Sequence, residues 1–263
     1  MLGFIGFGNM ASAITKGIID KKIAKPEDIM VSRRNHDKLQ EAKKTFGVVV
    51  TTDNKEVAKK ADVIILAVKP QMMSDVINEI KDCITEDKLI ISIAAGKSID
   101  WIGTQFGKTL KIVRCMPNTP ALVGAGCSGI CFNKEVTETD KAFTMSVFNS
   151  LGLALEVPES QMDVVVGVSG SSPAYVFMFM EAMADAAVVA GMPRQQAYQF
   201  VAQAVMGSAK LMLDTGRHPG ELKDMVCSPG GTTIEAVKVL EEKGMRAAVM
   251  DATLSCIEKS KKL

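Results

Sequence analysis

Short apolar runs alternate with amphipathic stretches along the first 157 residues of this 263-residue chain. The runs are rich in Val and Ile, which is typical of buried strands. They predict strands at 2–5, 29–31, 48–50, 63–68, 89–93 and 112–114, with weaker ones near 129–132 and 154–157. The stretches between most of them, such as 10–21 and 37–46, predict helices. This alternation predicts an α/β domain whose mostly parallel sheet is covered by helices on both faces.

The strand signals end at Pro158. Residues 159–263 have the pattern of helices, with breaks at 191–193, 216–220 and 228–231. We therefore predict two domains, 1–157 and an all-helical 158–263. The helical domain carries much apolar surface for its size, including a one-face stripe of Met245, Val249, Ala252 and Cys256. This excess predicts pairing with a second copy of the chain.

A glycine-rich turn follows the first predicted strand, in the segment Gly6-Phe7-Gly8-Asn9-Met10-Ala11. This GxGxxA pattern opens a helix at the start of a βαβ unit, as in Rossmann-type domains. The first glycine permits a tight turn, the second lets the backbone approach a pyrophosphate, and the alanine allows close helix–strand packing. We predict a dinucleotide whose pyrophosphate lies at the helix N-terminus.

The end of the second predicted strand indicates which dinucleotide is bound. Sites for NAD usually place an Asp or Glu there for the ribose 2′-hydroxyl. Here the strand continues into Ser32-Arg33-Arg34, which suits a 2′-phosphate. NADPH is therefore preferred, with NADH still possible; the alternative is that both arginines form an ordinary solvated turn. Two later strand exits are further candidates for cofactor contact: Ala67, Val68, Lys69 and Pro70, then Ile93, Ala94 and Ala95.

A second glycine turn, Ser228-Pro229-Gly230-Gly231, lies near the C-terminus. The following Thr232–Glu235 segment has the Thr-x-x-Glu pattern of a capping box, so a helix is predicted to start at about Thr232. The N–H groups of Gly231, Thr232 and Thr233 would then form a receptor for a small carboxylate. The alternative is a capped helix after a turn, and the residues alone favour neither.

Composition excludes several other functions. The net charge of +1 gives no reason to expect a nucleic-acid partner. Two histidines and six cysteines without CxxC spacing predict free thiols and no metal site. Glycines interrupt the apolar N-terminal run, so we expect no targeting segment and a cytoplasmic protein. Residues 164–180 contain Gly and Pro, so we expect no membrane span.

The residues His218-Pro219-Gly220-Glu221-Leu222-Lys223-Asp224, followed by 228–234, resemble the C-terminal signature of pyrroline-5-carboxylate reductases. The resemblance covers the whole chain, because further motifs follow in that family's order and spacing. These motifs are 3–6 with Met10-Ala11, Ala67-Val68-Lys69-Pro70-Gln71, Arg114-Cys115-Met116-Pro117-Asn118-Thr119-Pro120 and Pro173-Ala174-Tyr175.

The resemblance implies reduction of L-1-pyrroline-5-carboxylate to L-proline by hydride transfer from NAD(P)H to the imine C5. It places the substrate carboxylate on the turn of Ser228, Gly230, Gly231, Thr232 and Thr233. It implies that Thr233 bonds the ring nitrogen as the catalytic residue, and that Glu159 lies near the bound amino acid. It also implies that Asn54 and the 67–70 loop contact the cofactor, and that dimers assemble into decamers.

Three departures from the family pattern bear on these expectations. Ser172 stands where the family commonly has glycine, which puts the local backbone in doubt. Met225 replaces a polar residue that can reach the cofactor in relatives, so that contact is not expected here. Arg33-Arg34 replaces smaller residues of some members, which strengthens the prediction of NADPH.

The sequence leaves three other functions to compare with this one. A 3-hydroxyacid dehydrogenase would need a Gly-x-x-x-Asn-x-x-x-Lys helix, which does not follow Gly170. A non-catalytic NADP sensor need not keep a carboxylate receptor. A third alternative is a binding protein that uses the apolar surface of its helical domain to dock a partner.

Overall fold

An eight-stranded sheet forms the N-terminal part of the protein in this computed structural model, which describes residues 1–262. Leu263, at the end of the predicted 158–263 domain, lies outside the described residues. The strand order is β3-β2-β1-β4-β5-β6-β7-β8, and every neighbouring pair is parallel except β6 with β7. The predicted α/β fold is confirmed, with all eight predicted strands present. They are β1 Leu2–Ile5, β2 Ile29–Ser32, β3 Val49–Thr51, β4 Val63–Leu66, β5 Leu89–Ser92, β6 Lys111–Met116, β7 Gly126–Phe132 and β8 Gly152–Glu156.

Helices connect the strands and then make up almost all of the chain after residue 158. Within residues 1–262 the α-helices are α1 Asn9–Asp20, α2 His36–Phe46, α3 Asn54–Lys60, α4 Met73–Ile80, α5 Ile99–Phe106, α6 Glu138–Asn149, α7 Met162–Val165, α8 Ser172–Val189, α9 Arg194–Thr215, α10 Pro219–Met225, α11 Thr232–Glu242 and α12 Met245–Ser260. A π-helical turn, Val166–Gly170, joins α7 to α8.

One predicted break is shorter than expected. Helix α10 starts at Pro219, inside the predicted break of 216–220. Proline suits the first position of a helix because its missing N–H would have no partner there, and the His218 ring accepts a hydrogen bond from the Gly220 N–H.

The order of the strands reverses at β1, which pairs with β2 on one side and β4 on the other. Ligands of open α/β sheets bind outside the carboxyl ends of the strands at such a reversal. Apolar clusters cover both faces of the sheet, with α1 and α6 on one face and α4 and α5 on the other. The sheet therefore presents a rigid edge that runs from Ile5 and Ser32 to Leu66.

Two compact units divide the chain. The first comprises Met1–Ser171 with Cys256–Leu263, and the second comprises Ser172–Ser255. The first unit therefore includes the beginning of the helical half, and the predicted division at residue 158 stays a prediction about domains. Glu159–Val189 is long and apolar enough to cross a membrane, by length and composition only. In this chain by itself, 17% of its most apolar window is buried.

The second unit has little core of its own. Its described core cluster consists of Ala184, Ala197 and Val201 with partly buried neighbours. Large apolar side chains are exposed instead, among them Phe177, Met178, Phe200, Leu213 and Met250. Because so much apolar surface is unfavourable in water, this unit has the character of one half of an interface.

Lys88 secures the helix that carries Asn54. Its buried ammonium donates hydrogen bonds to the carbonyl oxygens of Ala61 at 2.5 Å and Lys59 at 3.2 Å, where α3 ends. Lys88→Met is expected to destabilise the protein by about 2 kcal/mol, because both carbonyls lose their donor. Urea denaturation followed by circular dichroism measures the loss.

Lys60→Met is the matched control, since Lys60 lies on the same helix in an exposed pair with Glu56. That change is expected to cost less than about 0.5 kcal/mol. Equal losses for the two variants would show that the bonds from Lys88 contribute nothing.

Candidate active site

The first glycine turn has a backbone that only glycine accommodates at its first position. Gly6 has φ +87°, and a Cβ there would lie 2.8 Å from the Ala67 carbonyl oxygen and 2.7 Å from a Val68 methyl. Its N–H donates to the Ser32 carbonyl oxygen at 3.1 Å. The turn is thereby pressed against the ends of β2 and β4, as the sequence pattern predicts.

Gly8 is the second glycine and caps α1. No side chain caps this helix, and a Cβ built on Gly8 would meet no atom within 4 Å. The start of α1 therefore faces open space with its N–H groups available. This is a cradle that an anionic pyrophosphate fits, both in shape and in the sign of the helix dipole.

A cleft of about 320 Å³ lies beside this turn. It brings together nine of the predicted cofactor residues: Gly6, Phe7, Gly8, Ser32, Arg33, Arg34, Asn54, Ala67 and Val68. Of the others, Asn9, Met10 and Ala11 form the first turn of α1, and Lys69 and Pro70 follow Val68. Ile93, Ala94 and Ala95 follow β5 and do not line the cleft. The cleft is also lined by Asn35, Met72 and Val76, which were not predicted and whose only signal is their position next to predicted segments.

The Ser32 hydroxyl is not available to a 2′-phosphate, contrary to the prediction for Ser32-Arg33-Arg34. The residue is fully buried, and its hydroxyl donates to Asn54 Oδ1 at 2.7 Å. Asn54 Nδ2 in turn donates to Glu79 Oε2 at 2.9 Å. This chain of hydrogen bonds fixes the Asn54 amide at the wall of the cleft, and Glu79 was not predicted to take part.

The two arginines of the cleft have different surroundings. Arg33 is half-buried, and its Nη1 donates to the Phe7 carbonyl oxygen at 2.5 Å. Arg34 is exposed and has no hydrogen bond or ion pair with any residue in 1–262. Both side chains line the cleft, which therefore has an electropositive end suited to a phosphate.

The second glycine turn forms, with two corrections. Its bond from the Gly231 N–H to the Ser228 carbonyl oxygen at 3.0 Å, with Gly230 at φ +68°, is typical of a type II turn. The Gly231 N–H is therefore not available to a ligand. The predicted capping box also fails, because Gly231 is the N-cap and Thr232 is the first helical residue, one position too late to cap.

What remains at this turn is an uncapped helix start. No side chain caps α11, and the N–H groups of Thr232 and Thr233 have no acceptor within the described chain. By contrast, Asn35, Asp53, Ser98 and Thr137 cap α2, α3, α5 and α6 with side-chain oxygens. Thr233 is half-buried and its hydroxyl has no protein partner in residues 1–262, so the turn can accept both a carboxylate and a neighbouring heteroatom.

Glu159 is held within the first unit. Its Oε1 accepts the Ile99 N–H at 2.7 Å, at the start of α5, and pairs with Arg114 Nη1 at 3.2 Å. Arg114 is buried in β6, so this carboxylate neutralises an otherwise unpaired charge. No local sequence pattern predicts this pairing.

The two buried cysteines are poorly suited to act as nucleophiles. Burial raises the pKa of the Cys115 thiol, and burial followed by the Glu159 charge raises the pKa of Cys131 to about 12. Cys227 is half-exposed, because the turn that follows it lies at the surface. No group of His, Cys, Asp and Glu in the described part of the chain could hold a metal ion.

Comparison with known proteins identifies relatives over the whole chain. Residues 159–263 match a family model described as pyrroline-5-carboxylate reductase dimerisation, and residues 1–96 match one described as NADP oxidoreductase coenzyme F420-dependent. The Escherichia coli pyrroline-5-carboxylate reductase is 54% identical over 262 residues, which cover 100% of this chain and 97% of that protein.

Two solved structures are also similar. A pyrroline-5-carboxylate reductase from Coxiella burnetii has a TM-score of 0.93 and 39% identity, covering 99% of this chain and 97% of that one. The Plasmodium falciparum pyrroline carboxylate reductase with NADP bound has a TM-score of 0.90 and 37% identity, with the same coverage of 99% and 97%.

The pair between Glu159 and Arg114 gives a testable stability effect. Glu159→Gln keeps an acceptor for the Ile99 N–H but removes the counter-charge of the buried guanidinium. We expect a loss of about 3 kcal/mol, measured by thermal denaturation.

The control is the double variant Glu159→Met with Arg114→Met, which removes both charges. It is expected to recover at least half of the loss, because an apolar pair can replace a buried ion pair. A Glu159→Gln protein with the melting temperature of the wild-type protein would contradict a stabilising role for the pair of Glu159 with Arg114.

Proposed function

The chain belongs to the pyrroline-5-carboxylate reductase family, and from this premise we propose how its own residues bind and orient the reactants. The protein is an NADP-dependent oxidoreductase that reduces L-1-pyrroline-5-carboxylate to L-proline, the last step of proline biosynthesis. The observation that carries the assignment of residues is the uncapped start of α11 at the second glycine turn. A binding protein for NADP alone would have no need of this second anion receptor.

The first unit holds the cofactor. The N–H groups at the start of α1 take the pyrophosphate, and Arg33 and Arg34 face the 2′-phosphate. Asn54, fixed by Ser32 and Glu79, lines the adenosine end of the cleft. Ala67 to Pro70 and Ile93 to Ala95 follow β4 and β5 at the carboxyl edge of the sheet and continue the binding surface there. When bound, the reduced nicotinamide supplies the hydride.

The second unit holds the substrate carboxylate. Thr232 and Thr233 donate their peptide N–H groups to it, while Gly230 shapes the turn without a side chain that would obstruct the ligand. The Thr233 hydroxyl donates to or accepts from the ring nitrogen. Because the N–H groups are fixed by the helix, the carboxylate orients the ring so that only one face of C5 is offered.

The reaction itself asks little acid–base chemistry of the protein. Protonation of the imine nitrogen by water makes C5 electrophilic, and addition of the hydride to C5 of this iminium ion gives the neutral amine. This fits a chain whose buried thiols keep raised pKa values and whose His218 ring is used to cap α10. Glu159 adds a negative charge near the bound amino acid, with its orientation set by Arg114 and Ile99.

The helical region pairs with a second copy. The match of residues 159–263 to a dimerisation model explains the exposed apolar side chains of the second unit. We propose a homodimer as the minimum assembly, with decamers built from dimers as in the family. We further propose that the enzyme acts in the cytoplasm without a membrane or nucleic-acid partner, since pairing covers the apolar stretch of Glu159–Val189.

The function is tested by the loss of reduced-nicotinamide absorbance with pyrroline-5-carboxylate. Wild-type protein is expected to oxidise NADPH faster than NADH. Thr233→Val keeps the shape but removes the hydroxyl, and is expected to lower kcat about tenfold, the effect of one lost hydrogen bond to a polarised group. Thr233→Ser keeps the hydroxyl and is expected to retain most activity.

Folded protein that binds NADP and oxidises neither cofactor would instead support the sensor. Faster oxidation of NADH would keep the reaction and contradict the role of the two arginines. Equal rates for the Val and Ser variants would remove Thr233 from the mechanism.

The assembly is tested at Phe177, which is 62% exposed on α8. Phe177→Glu is expected to shift the protein toward monomer, measured by light scattering after size exclusion, because a charge cannot be buried unpaired in an apolar interface. Lys44→Glu, on an exposed position of α2, is the control and should leave the mass unchanged. A Phe177→Glu protein with the wild-type mass would contradict the proposed interface.

A further inference from the structure

We propose that Arg33 is a positioning residue for the first glycine turn, so that it supports the binding of NADPH and NADH alike. This role is additional to facing the 2′-phosphate, and it rests on the proposed cofactor site. Arg34, by contrast, serves only the 2′-phosphate. The two adjacent arginines, which look equivalent in the sequence, are therefore expected to differ in function.

The contact that carries this proposal joins Arg33 to the turn itself. Its Nη1 donates to the Phe7 carbonyl oxygen, which belongs to the peptide that joins Phe7 to Gly8 within the turn. The side chain lines the cofactor cleft and also a second cleft of about 360 Å³ on the other side, between α1 and α2. The guanidinium thus bridges the end of β2 and the glycine turn.

The geometry of a peptide bond passes this contact on to the ligand side. In a planar trans peptide the Phe7 carbonyl and the Gly8 N–H point in opposite directions. A donor that holds the carbonyl therefore also fixes the direction of the Gly8 N–H. Gly8 has no side chain to pack against its surroundings, and no side chain caps the helix there. Little else therefore restrains the rotation of the Phe7–Gly8 peptide.

The Phe7 side chain is held on the other side of the backbone. Its ring is buried and packs edge-to-face on Phe4 and Phe46, with ring centroids 6.1 Å and 6.0 Å apart. The ring anchors the Cα of Phe7, and Arg33 restrains the peptide that follows it. Together they preorganise the N–H groups at the start of α1 before a pyrophosphate arrives.

Arg34 has none of these contacts. It is exposed, lines the cofactor cleft, and has no hydrogen bond or ion pair to the described residues. The Ser32 hydroxyl is committed to Asn54 and cannot replace either arginine. A guanidinium has five donors, so the one bond from Arg33 to Phe7 leaves others for a phosphate.

Arg33→Met and Arg34→Met are the matched variants, since each removes the same charge from adjacent positions. Isothermal titration with NADPH and with NADH measures the Kd values without turnover. Arg34→Met is expected to weaken NADPH about tenfold and NADH less than twofold, because only the 2′-phosphate loses a charged partner. Arg33→Met is expected to weaken NADH about fivefold or more, and NADPH by a larger factor.

Amide hydrogen exchange of the free protein supplies an independent measurement. Peptides that cover residues 6–12 should exchange faster in Arg33→Met than in Arg34→Met or the wild-type protein. Arg33→Lys keeps one charged donor and should restore part of the NADH affinity and of the exchange protection. Neither result depends on catalysis.

Unchanged NADH affinity together with unchanged exchange in Arg33→Met would overturn the positioning role. If the proposed cofactor site were itself wrong, both Met variants would bind NADPH as the wild-type protein does. The two failures are distinguishable by the NADPH affinity. If only the positioning role is wrong, Arg33→Met and Arg34→Met both still bind NADPH more weakly than the wild-type protein; if the cofactor site is wrong, neither does.

Discussion

The start of a helix leaves peptide N–H groups without acceptors, and the proposed function of this protein depends on two such starts. The N-cap residue of α1 is Gly8 and that of α11 is Gly231, and neither helix has a side-chain cap. An unsatisfied N–H together with the helix dipole favours an anion. One start lies in each compact unit, which matches a cofactor bound through its phosphates and a substrate bound through its carboxylate.

Glycine is what keeps these starts open. At the first turn, Gly6 allows the chain to reverse against Ala67 and Val68, where any Cβ would overlap. At the second, Gly230 takes the left-handed position of a turn that ends in the helix. At α2, α3, α5 and α6, side chains of Asn, Asp, Ser and Thr occupy the N-cap position and accept one of the free N–H groups. At the two glycine turns the N-cap residue has no side chain, so these N–H groups stay available to a ligand.

Much of the fold could be predicted because strand burial and helix periodicity are local properties of the sequence. Buried runs of Val and Ile located all eight strands, and the GxGxxA pattern located the first turn. The capping box at Thr232 failed because the Pro-Gly turn sets the helix start, and a Thr one residue inside a helix cannot cap it. The partners of Ser32 and Glu159 depend on residues brought together from distant strands, and no local pattern contains that information.

The helical half has a core that one copy of the chain does not complete. Its apolar excess was visible in the composition, but the surface that it needs belongs to another copy. Only the small cluster around Ala184, Ala197 and Val201 is buried in the second unit by itself. Residues 159–263 therefore contain both the apolar surface for pairing and the proposed carboxylate receptor at the start of α11.

The most direct test of the carboxylate receptor is amide hydrogen exchange of the NADP-bound protein with L-proline and with pyrrolidine, which lacks the carboxylate. The account predicts that L-proline slows exchange at Thr232 and Thr233, while pyrrolidine at equal occupancy does not. Equal protection by both ligands, or binding of L-proline with no protection at this turn, would contradict it.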